Sequence, residues 1–243
     1  MPSEFLIIFG CSVLMSLNFA IETIAYQLRC TGSALGNSSL GYSLHVQVAT
    51  FARTLNFIAL PLMGWLIDSG VKFERFLLVP VIFSLIFSIL CVLYLMYPNK
   101  DALSISIFKF LVSRISKIEL SVSGSHSTDN KQTTTIKLKD KRKLFNTGAV
   151  ASFFTIFGSL LPFILASYVH SYRATMLQMA PVFTAIGTLL SVTYFDPRVS
   201  LMMRDGFYNI EIMRTIIISR VAGVACMGII SLAWLIFISM ANK

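Results

Sequence analysis

Arg53 is the residue of this chain whose position most constrains its chemistry. It is the only charged residue in an apolar stretch, residues 40–67, that is long enough to cross a bilayer. An arginine at mid-membrane costs about 2.5–3.5 kcal/mol on insertion scales and is tolerated where it faces a bundle interior, an aqueous cavity or an anion. Both membrane surfaces lie about 20 Å away at a rise of 1.5 Å per residue, so snorkelling is difficult. Arg53 therefore indicates a buried anion, and its fixed fork of donors suits a diphosphate.

Two further charges and one histidine lie inside other apolar stretches or beside Arg53: Glu22, Arg220 and His45. One carboxylate cannot neutralise two arginines, so a bound anion would complete the charge balance. We therefore predict that Arg53 and Arg220 bind the anion, and that Glu22 or His45 could carry a proton. The competing interpretation is that Glu22 pairs with one arginine while the other caps carbonyls or reaches the membrane surface.

Two more polar residues are added to the predicted binding set. Thr50, Arg53 and Asn56 recur at i, i+3 and i+6, which places Asn56 on the same helix stripe as Arg53. Arg173 flanks the opposite membrane surface, where it could engage the same ligand or act as an interfacial anchor. Asp196 precedes a proline, a pattern that favours a helix start with Asp196 as its cap.

The elements that carry these residues are predicted from composition. The chain has 243 residues, of which 56% are hydrophobic and 13% charged, whereas soluble domains are about 25% charged. Backbone groups cannot remain unpaired in hydrocarbon, so every membrane-crossing stretch must be helical. We predict an all-α membrane protein, a bundle of about six transmembrane helices, with a tilt or kink near Pro61 and Gly64. The six stretches are residues 5–26, 40–67, 76–97, 145–169, 176–194 and 215–240.

The basic residues predict the orientation. Fourteen lysines and arginines fall in the odd-numbered connections and four on the other side, so the odd connections are predicted to be cytoplasmic and both termini outside. The net charge of +9 is thus a topology signal and not a sign of nucleic-acid binding. Residues 1–97 would hold the first three helices and residues 145–243 the last three.

Residues 98–144 are predicted to form a basic cytoplasmic loop. Its apolar residues between 105 and 118 recur at helical spacing, which is typical of an amphipathic helix on the inner leaflet. Residues 121–135 are rich in Ser and Thr and are predicted to be disordered. The basic cluster at 137–143 could attract anionic membrane lipids, or it could serve only to set the topology.

Enzyme signatures are missing from the sequence. No glycine-rich phosphate loop, no HExxH and no GxSxG occurs, and the four cysteines lack metal-ligand spacing. We therefore expect no catalytic residue, no metal and no cofactor, and interpret the cysteines as small buried hydrophobic residues.

Several short segments resemble the Amj family of alternate lipid II flippases. The resemblance covers five of the six predicted helices and fails in the third and in the Ser/Thr-rich loop. The segments that carry it are IETIAY at 21–26, RTLN at 53–56, PLMG at 61–64, YRAT at 172–175, FDPR at 195–198 and SR at 219–220.

The resemblance implies a multi-pass protein of the bacterial cytoplasmic (inner) membrane. It would move lipid II, the undecaprenyl-diphosphate-linked peptidoglycan precursor, to the outer face for cell-wall synthesis. Three alternatives stay open at this point. The first is a flippase for another polyprenyl-linked oligosaccharide, such as an O-antigen or capsule unit. The others are a non-transporting subunit of an envelope-synthesis complex and a membrane-embedded phosphotransferase or phosphatase.

Overall fold

The structure, a computed structural model, describes residues 2–115, 138–203 and 210–241. These residues are helical apart from short turns between the helices. A 3-10 turn at His170–Tyr172 and a π-helical turn at Ser191–Phe195 accompany the α-helices. In chain order the helices are α1 (Pro2–Ala34), α2 (Ser38–Arg53), α3 (Asn56–Asp68), α4 (Phe73–Phe76), α5 (Leu78–Met96), α6 (Lys100–Ile115), α7 (Leu138–Tyr168), α8 (Arg173–Gln178), α9 (Ala180–Leu190), α10 (Asp196–Met203) and α11 (Ile210–Ala241).

Six segments are long and apolar enough to cross a membrane, as the sequence predicted. We number them spans 1 to 6: Glu4–Ala34, Ser38–Asp68, Phe73–Met96, Asp140–Tyr168, Arg173–Met203 and Glu211–Ala241. The all-α bundle of about six helices is thus confirmed, and the chain is a multi-pass membrane protein. Span 1 is longer than predicted, and its helix includes Arg29, which the sequence analysis had assigned to a connecting loop.

The core of the bundle is built around span 1. Aromatic rings of Phe19 and Phe87 meet edge to face at 5.1 Å, and Phe83 stacks on Phe87. Cys11, Cys30 and Cys91 are buried and unpaired, in accord with their interpretation as small hydrophobic residues, whereas Cys226 is exposed. Apolar side chains on the outside of spans 3 and 6 are exposed to what would be lipid: Leu85, Ile89, Leu93, Ile229, Ile230 and Phe237.

The two halves of the chain share one packing pattern. Span 1 packs against spans 2 and 3, span 4 packs in the same way against spans 5 and 6, and the halves meet chiefly through spans 3 and 6. Because each half contains three spans, corresponding helices run in opposite directions across the membrane. This is the arrangement of an inverted repeat, and the sequence showed no self-match that would have revealed it.

Spans 2 and 5, which occupy corresponding places in the two halves, are both interrupted. In span 2 the α-helix stops at Arg53 and restarts at Asn56, and the Thr54 hydroxyl donates a hydrogen bond to the carbonyl of Phe51. In span 5 the π-helical turn Ser191–Phe195 separates α9 from α10. The expected irregularity of span 2 therefore lies beside Arg53, while Pro61 is accommodated inside α3.

The connection after span 3 is helical in its described part. Helix α6 covers most of the predicted amphipathic helix, but Phe108 and Val112 are buried against Leu28 of α1 and Leu44 of α2. One apolar face of α6 thus packs on the bundle, while Phe110 stays exposed. The predicted disordered segment 121–135 lies outside the described residues. Helix α7 begins at Leu138, so the basic residues at 141–143 belong to a helix.

Candidate functional site: a polar cavity inside the bundle

A cavity of about 340 Å³ lies in the interior of the bundle, and every one of the six spans contributes to its lining. At about 30 Å³ per water molecule, this is room for roughly eleven waters. The volume is near the lower end of the range of about 300–1,000 Å³ that is typical of small-molecule sites. The lining combines aromatic rings with charged, amide and hydroxyl side chains. A polar void of this kind inside a membrane bundle points to a ligand or to a water-filled path.

Arg53 stands at the C-terminal end of α2, beside the interruption of span 2. Its Nη2 lies 3.5 Å from Oε1 of Glu22, yet 57% of the Arg53 side chain is not covered by protein. The C-terminal end of a helix favours a positive charge, which helps to explain why a guanidinium is accepted here. Arg53 and Asn56 both line the cavity, so the structure brings together the two residues that the polar stripe had linked.

Arg220 is held much more tightly than Arg53. Its side chain is 4% exposed, Nη1 donates to the Thr23 hydroxyl at 3.2 Å, and Nη2 donates to the Tyr26 hydroxyl at 3.3 Å. Its Nη2 lies 3.9 Å from the same Glu22 oxygen that faces Arg53. Rings of Phe19, Tyr26 and Phe195 surround the guanidinium at 4.9–5.8 Å. Arg220 therefore has a structural role in addition to any contact with a ligand.

Glu22 thus faces both arginines, Arg53 at 3.5 Å and Arg220 at 3.9 Å. The competing interpretation, in which Glu22 pairs with only one of them, does not describe the structure. Glu22 is 17% exposed and also lines the cavity. Because the carboxylate is shared, neither arginine has a full counter-charge of its own.

A second ion pair continues this network and was not predicted from the sequence. Arg29 lies 3.1 Å from the carboxylate of Asp196 and donates to the Ser200 hydroxyl at 2.8 Å. Tyr26 donates its hydroxyl proton to the same Asp196 oxygen at 2.7 Å. The Asp196 carboxylate therefore joins span 5 to span 1, which is more than the local helix cap that the Asp-Pro pattern predicted. The available signal in the sequence was an arginine, Arg29, only three residues after the end of the first predicted stretch.

The linked groups alternate in charge. In order they are Arg29, Asp196, Tyr26, Arg220, Glu22 and Arg53. Three arginines and two carboxylates leave one positive charge in excess. The exposed end of the network is Arg53, so the excess charge is offered to the cavity.

Four residues of the cavity lining each have a buried polar atom without a hydrogen-bond partner within the described part of the chain. These atoms are Oδ1 of Asn18, Oδ1 of Asn56, Nδ1 of His45 and Nε of Arg220. An unpaired buried polar group costs about 1–3 kcal/mol, so four of them around one void indicate that waters or a ligand satisfy them. His45 itself is 6% exposed, and its ring packs on Tyr26 with the centroids 4.2 Å apart.

The cavity has a side that faces the bilayer between spans 2 and 5. Span 2 packs mainly on span 1, and α9 of span 5 packs mainly on span 4, without extensive packing of α2 against α9 in the described residues. Val46 of α2 and Val192 of the π-helical turn line the cavity from the two sides, and both are exposed. We call this gap the lateral opening, because it would face lipid when the six spans cross a bilayer.

Arg173 is not part of the cavity. It lies at the start of α8, 3.4 Å from the carboxylate of Asp68 at the end of α3, and it thereby joins spans 5 and 2 near the other end of the bundle. Any contact between Arg173 and a ligand would therefore involve a different position of that ligand. Among the residues that the structure describes, no group of three or more metal-ligating side chains occurs.

Comparison of the chain with protein families, curated proteins and solved structures finds no match.

Proposed function

We propose that this protein moves a polyprenyl-diphosphate-linked sugar across the bacterial cytoplasmic membrane, with lipid II as the cargo that the resemblance to the Amj family favours. The observation that carries the proposal is the polar cavity with Arg53 exposed in it and one positive charge in excess. Arginine binds phosphate oxygens through two parallel hydrogen bonds, and hydrogen bonds between two charged groups are about twice as strong as those between neutral groups.

The charge balance supports a role for Glu22 in proton coupling. A diphosphate that links a prenyl chain to a sugar carries about two negative charges, since each phosphate retains one acidic oxygen. The network supplies one excess positive charge. A proton on Glu22 would supply the second and would release both Arg53 and Arg220 toward the ligand. His45 contacts Tyr26 in the lining of the same cavity and is the second candidate for proton transfer.

The lateral opening supports a route in which the prenyl chain never leaves the lipid. The diphosphate would enter between spans 2 and 5 and meet Arg53, while the hydrocarbon tail would remain outside the bundle. Both flanking spans are interrupted near the cavity. Interrupted helices at corresponding places of an inverted repeat are characteristic of the substrate sites of alternating-access transporters.

The cavity is large enough for a diphosphate and a first sugar but not for a complete disaccharide-pentapeptide. Passage of such a head group therefore requires spans 2 and 5 to separate further. An interior-negative potential would assist the outward movement of the anion by about 2.3 kcal/mol per charge per 100 mV. In this scheme the basic connections are cytoplasmic, both termini are outside, and the basic residues of α7 attract anionic lipids at the inner surface.

The test is complementation of cells that are depleted of their own lipid II flippases, with surface-exposed lipid II measured by an externally added enzyme. The wild type restores growth and surface lipid II, and Arg53→Ala at equal membrane levels restores neither. Arg214→Ala, which removes an exposed arginine outside the cavity, is the matched control and retains function. Rescue by Arg53→Ala would remove Arg53 from the mechanism.

The same cells distinguish the alternatives. Restoration of O-antigen or capsule without lipid II would reassign the cargo. An accessory subunit needs only the positive charge for internal pairing, so full rescue by Arg53→Lys would favour that role. Metal-dependent turnover of a lipid-linked phosphate by the purified protein would favour the enzyme.

A further inference from the structure

We propose that hydroxyl groups of α7 and α9 form a subsite for the sugar that is attached to the diphosphate. Four of them, in two pairs spaced four residues apart, line the cavity: Thr155 and Ser159 on α7, and Thr184 and Thr188 on α9. The inference rests on the proposed function. It adds that the cavity recognises the sugar of the head group as well as its diphosphate.

The protons of these hydroxyls are already used. Thr155 donates to the carbonyl of Ala151 at 2.8 Å, and Ser159 donates to that of Thr155 at 2.8 Å. On α9, Thr184 donates to the carbonyl of Ala180 at 2.8 Å, and Thr188 donates to that of Thr184 at 3.1 Å. A hydroxyl has one proton but two lone pairs, so each oxygen still presents acceptor capacity to the cavity.

An independent observation points the same way. Asn18, which is 5% exposed, lines the cavity with its Oδ1 acceptor unpaired, and Oδ1 of Asn56 is also unpaired. The lining of the cavity therefore contains unpaired acceptors on α1 and α3, in addition to the hydroxyls of α7 and α9, and these acceptors need hydrogen-bond donors. Phosphate oxygens of an ionised diphosphate are acceptors and cannot satisfy them.

A sugar supplies the hydrogen-bond donors that these acceptors need. The hydroxyl and amide groups of a sugar lie within a few ångströms of one another and can donate several hydrogen bonds. The arginines on α2 and α11 donate the hydrogen bonds that the diphosphate accepts. The lining of the cavity thus offers donors to the phosphates and acceptors to the sugar. The ligand class that fits both parts is a lipid-linked diphospho-sugar, in preference to a bare polyprenyl diphosphate or a simple phospholipid.

The experiment compares the binding of two probes to the purified full chain in lipid nanodiscs: undecaprenyl diphosphate, and the same lipid carrying one N-acetylated amino sugar. The wild type is expected to bind the sugar-bearing probe about tenfold more tightly, the gain of one or two net hydrogen bonds. The double variant Ser159→Ala/Thr184→Val should lose that preference and keep its affinity for undecaprenyl diphosphate. Thr147→Val removes a similarly bonded hydroxyl from α7 outside the cavity and should keep the preference.

The outcomes separate this inference from the proposed function. Equal binding of both probes by the wild type, with both weakened by Arg53→Ala, would overturn the sugar subsite and leave the diphosphate site standing. A preference that survives in the double variant would also overturn the subsite. Binding of neither probe, or binding indifferent to Arg53→Ala, would overturn the proposed function and the subsite with it. Retained binding of undecaprenyl diphosphate by the double variant shows that it is folded.

Discussion

Arg29 of span 1 lies 3.1 Å from the Asp196 carboxylate of span 5, and this contact joins the centre of the bundle to its least buried helix segment. The Asp196 oxygen that Arg29 approaches also accepts a hydrogen bond from the Tyr26 hydroxyl, and this hydroxyl in turn accepts one from Arg220. Because Arg29 is only 5% exposed, little water can hydrate its guanidinium. The ion pair with Asp196 takes the place of that hydration. The pair therefore connects the position of span 5 to the charges of the cavity.

Removal of Asp196 should destabilise the fold. Asp196→Ala leaves a buried guanidinium without its counter-charge, which costs about 3–5 kcal/mol for buried pairs. The measurement is thermal unfolding of the purified protein in detergent. Asp68→Ala is the control, because Asp68 is 73% exposed in its pair with Arg173, and exposed pairs contribute about 0–1 kcal/mol. Equal melting temperatures for the two variants would contradict the role of the Arg29–Asp196 pair.

Arg53 and Arg220 should differ in what their loss does to stability. Arg53→Ala removes a mostly uncovered side chain and should change the unfolding free energy by less than about 1 kcal/mol. Arg220→Ala removes a buried group with two side-chain hydrogen bonds and should cost about 2–4 kcal/mol. Denaturation in a common detergent compares them, with Arg214→Ala as the exposed control on the same helix. An Arg53 variant as unstable as the Arg220 variant would mean that Arg53 serves the fold.

The number of spans and the presence of Arg53 and Arg220 at one cavity could be predicted from the sequence. Both follow from the cost of placing charge or unpaired backbone in hydrocarbon, which acts on every residue individually. The position of the break in span 2 was predicted less well. Pro61 marks an expected irregularity, but the helix is interrupted beside Arg53, where Thr54 competes for a backbone carbonyl.

The Arg29–Asp196 pair and the repeated packing of the halves could not be predicted. The two residues are 167 positions apart, and the local Asp-Pro pattern has an adequate explanation as a helix start. The repeat is a pattern of contacts between helices, and many different sets of side chains can produce the same contacts. A single sequence contains no pairing information of this kind.

The cavity should be accessible to water. In a Cys226→Ser background, Thr50→Cys and Thr188→Cys both line the cavity and are exposed, so a charged thiol reagent should modify them readily. Leu93→Cys and Ile229→Cys, on the apolar outer surfaces of α5 and α11, should react far more slowly in a bilayer because a thiol there is not ionised. Equal modification rates in all four variants would contradict a hydrated cavity.

Transport should require spans 2 and 5 to separate. A bifunctional maleimide that bridges Val46→Cys and Val192→Cys, one on each side of the lateral opening, should abolish transport. A linker with a cleavable bond should restore it after cleavage, and each single-cysteine variant treated in the same way should remain active. Undiminished transport by the bridged protein would show that the opening is not the path of the lipid.

The most direct test of the central claim is the movement of a fluorescent polyprenyl-diphosphate sugar in vesicles that contain only the purified protein. The probe in the outer leaflet is bleached by an impermeant reductant, and the protected fraction reports exchange between the leaflets. With the wild type, the protected fraction should fall toward zero, because inner-leaflet probe reaches the outer surface. With Arg53→Ala, about half should stay protected, as in protein-free vesicles. Exchange by Arg53→Ala at the wild-type rate would contradict the account.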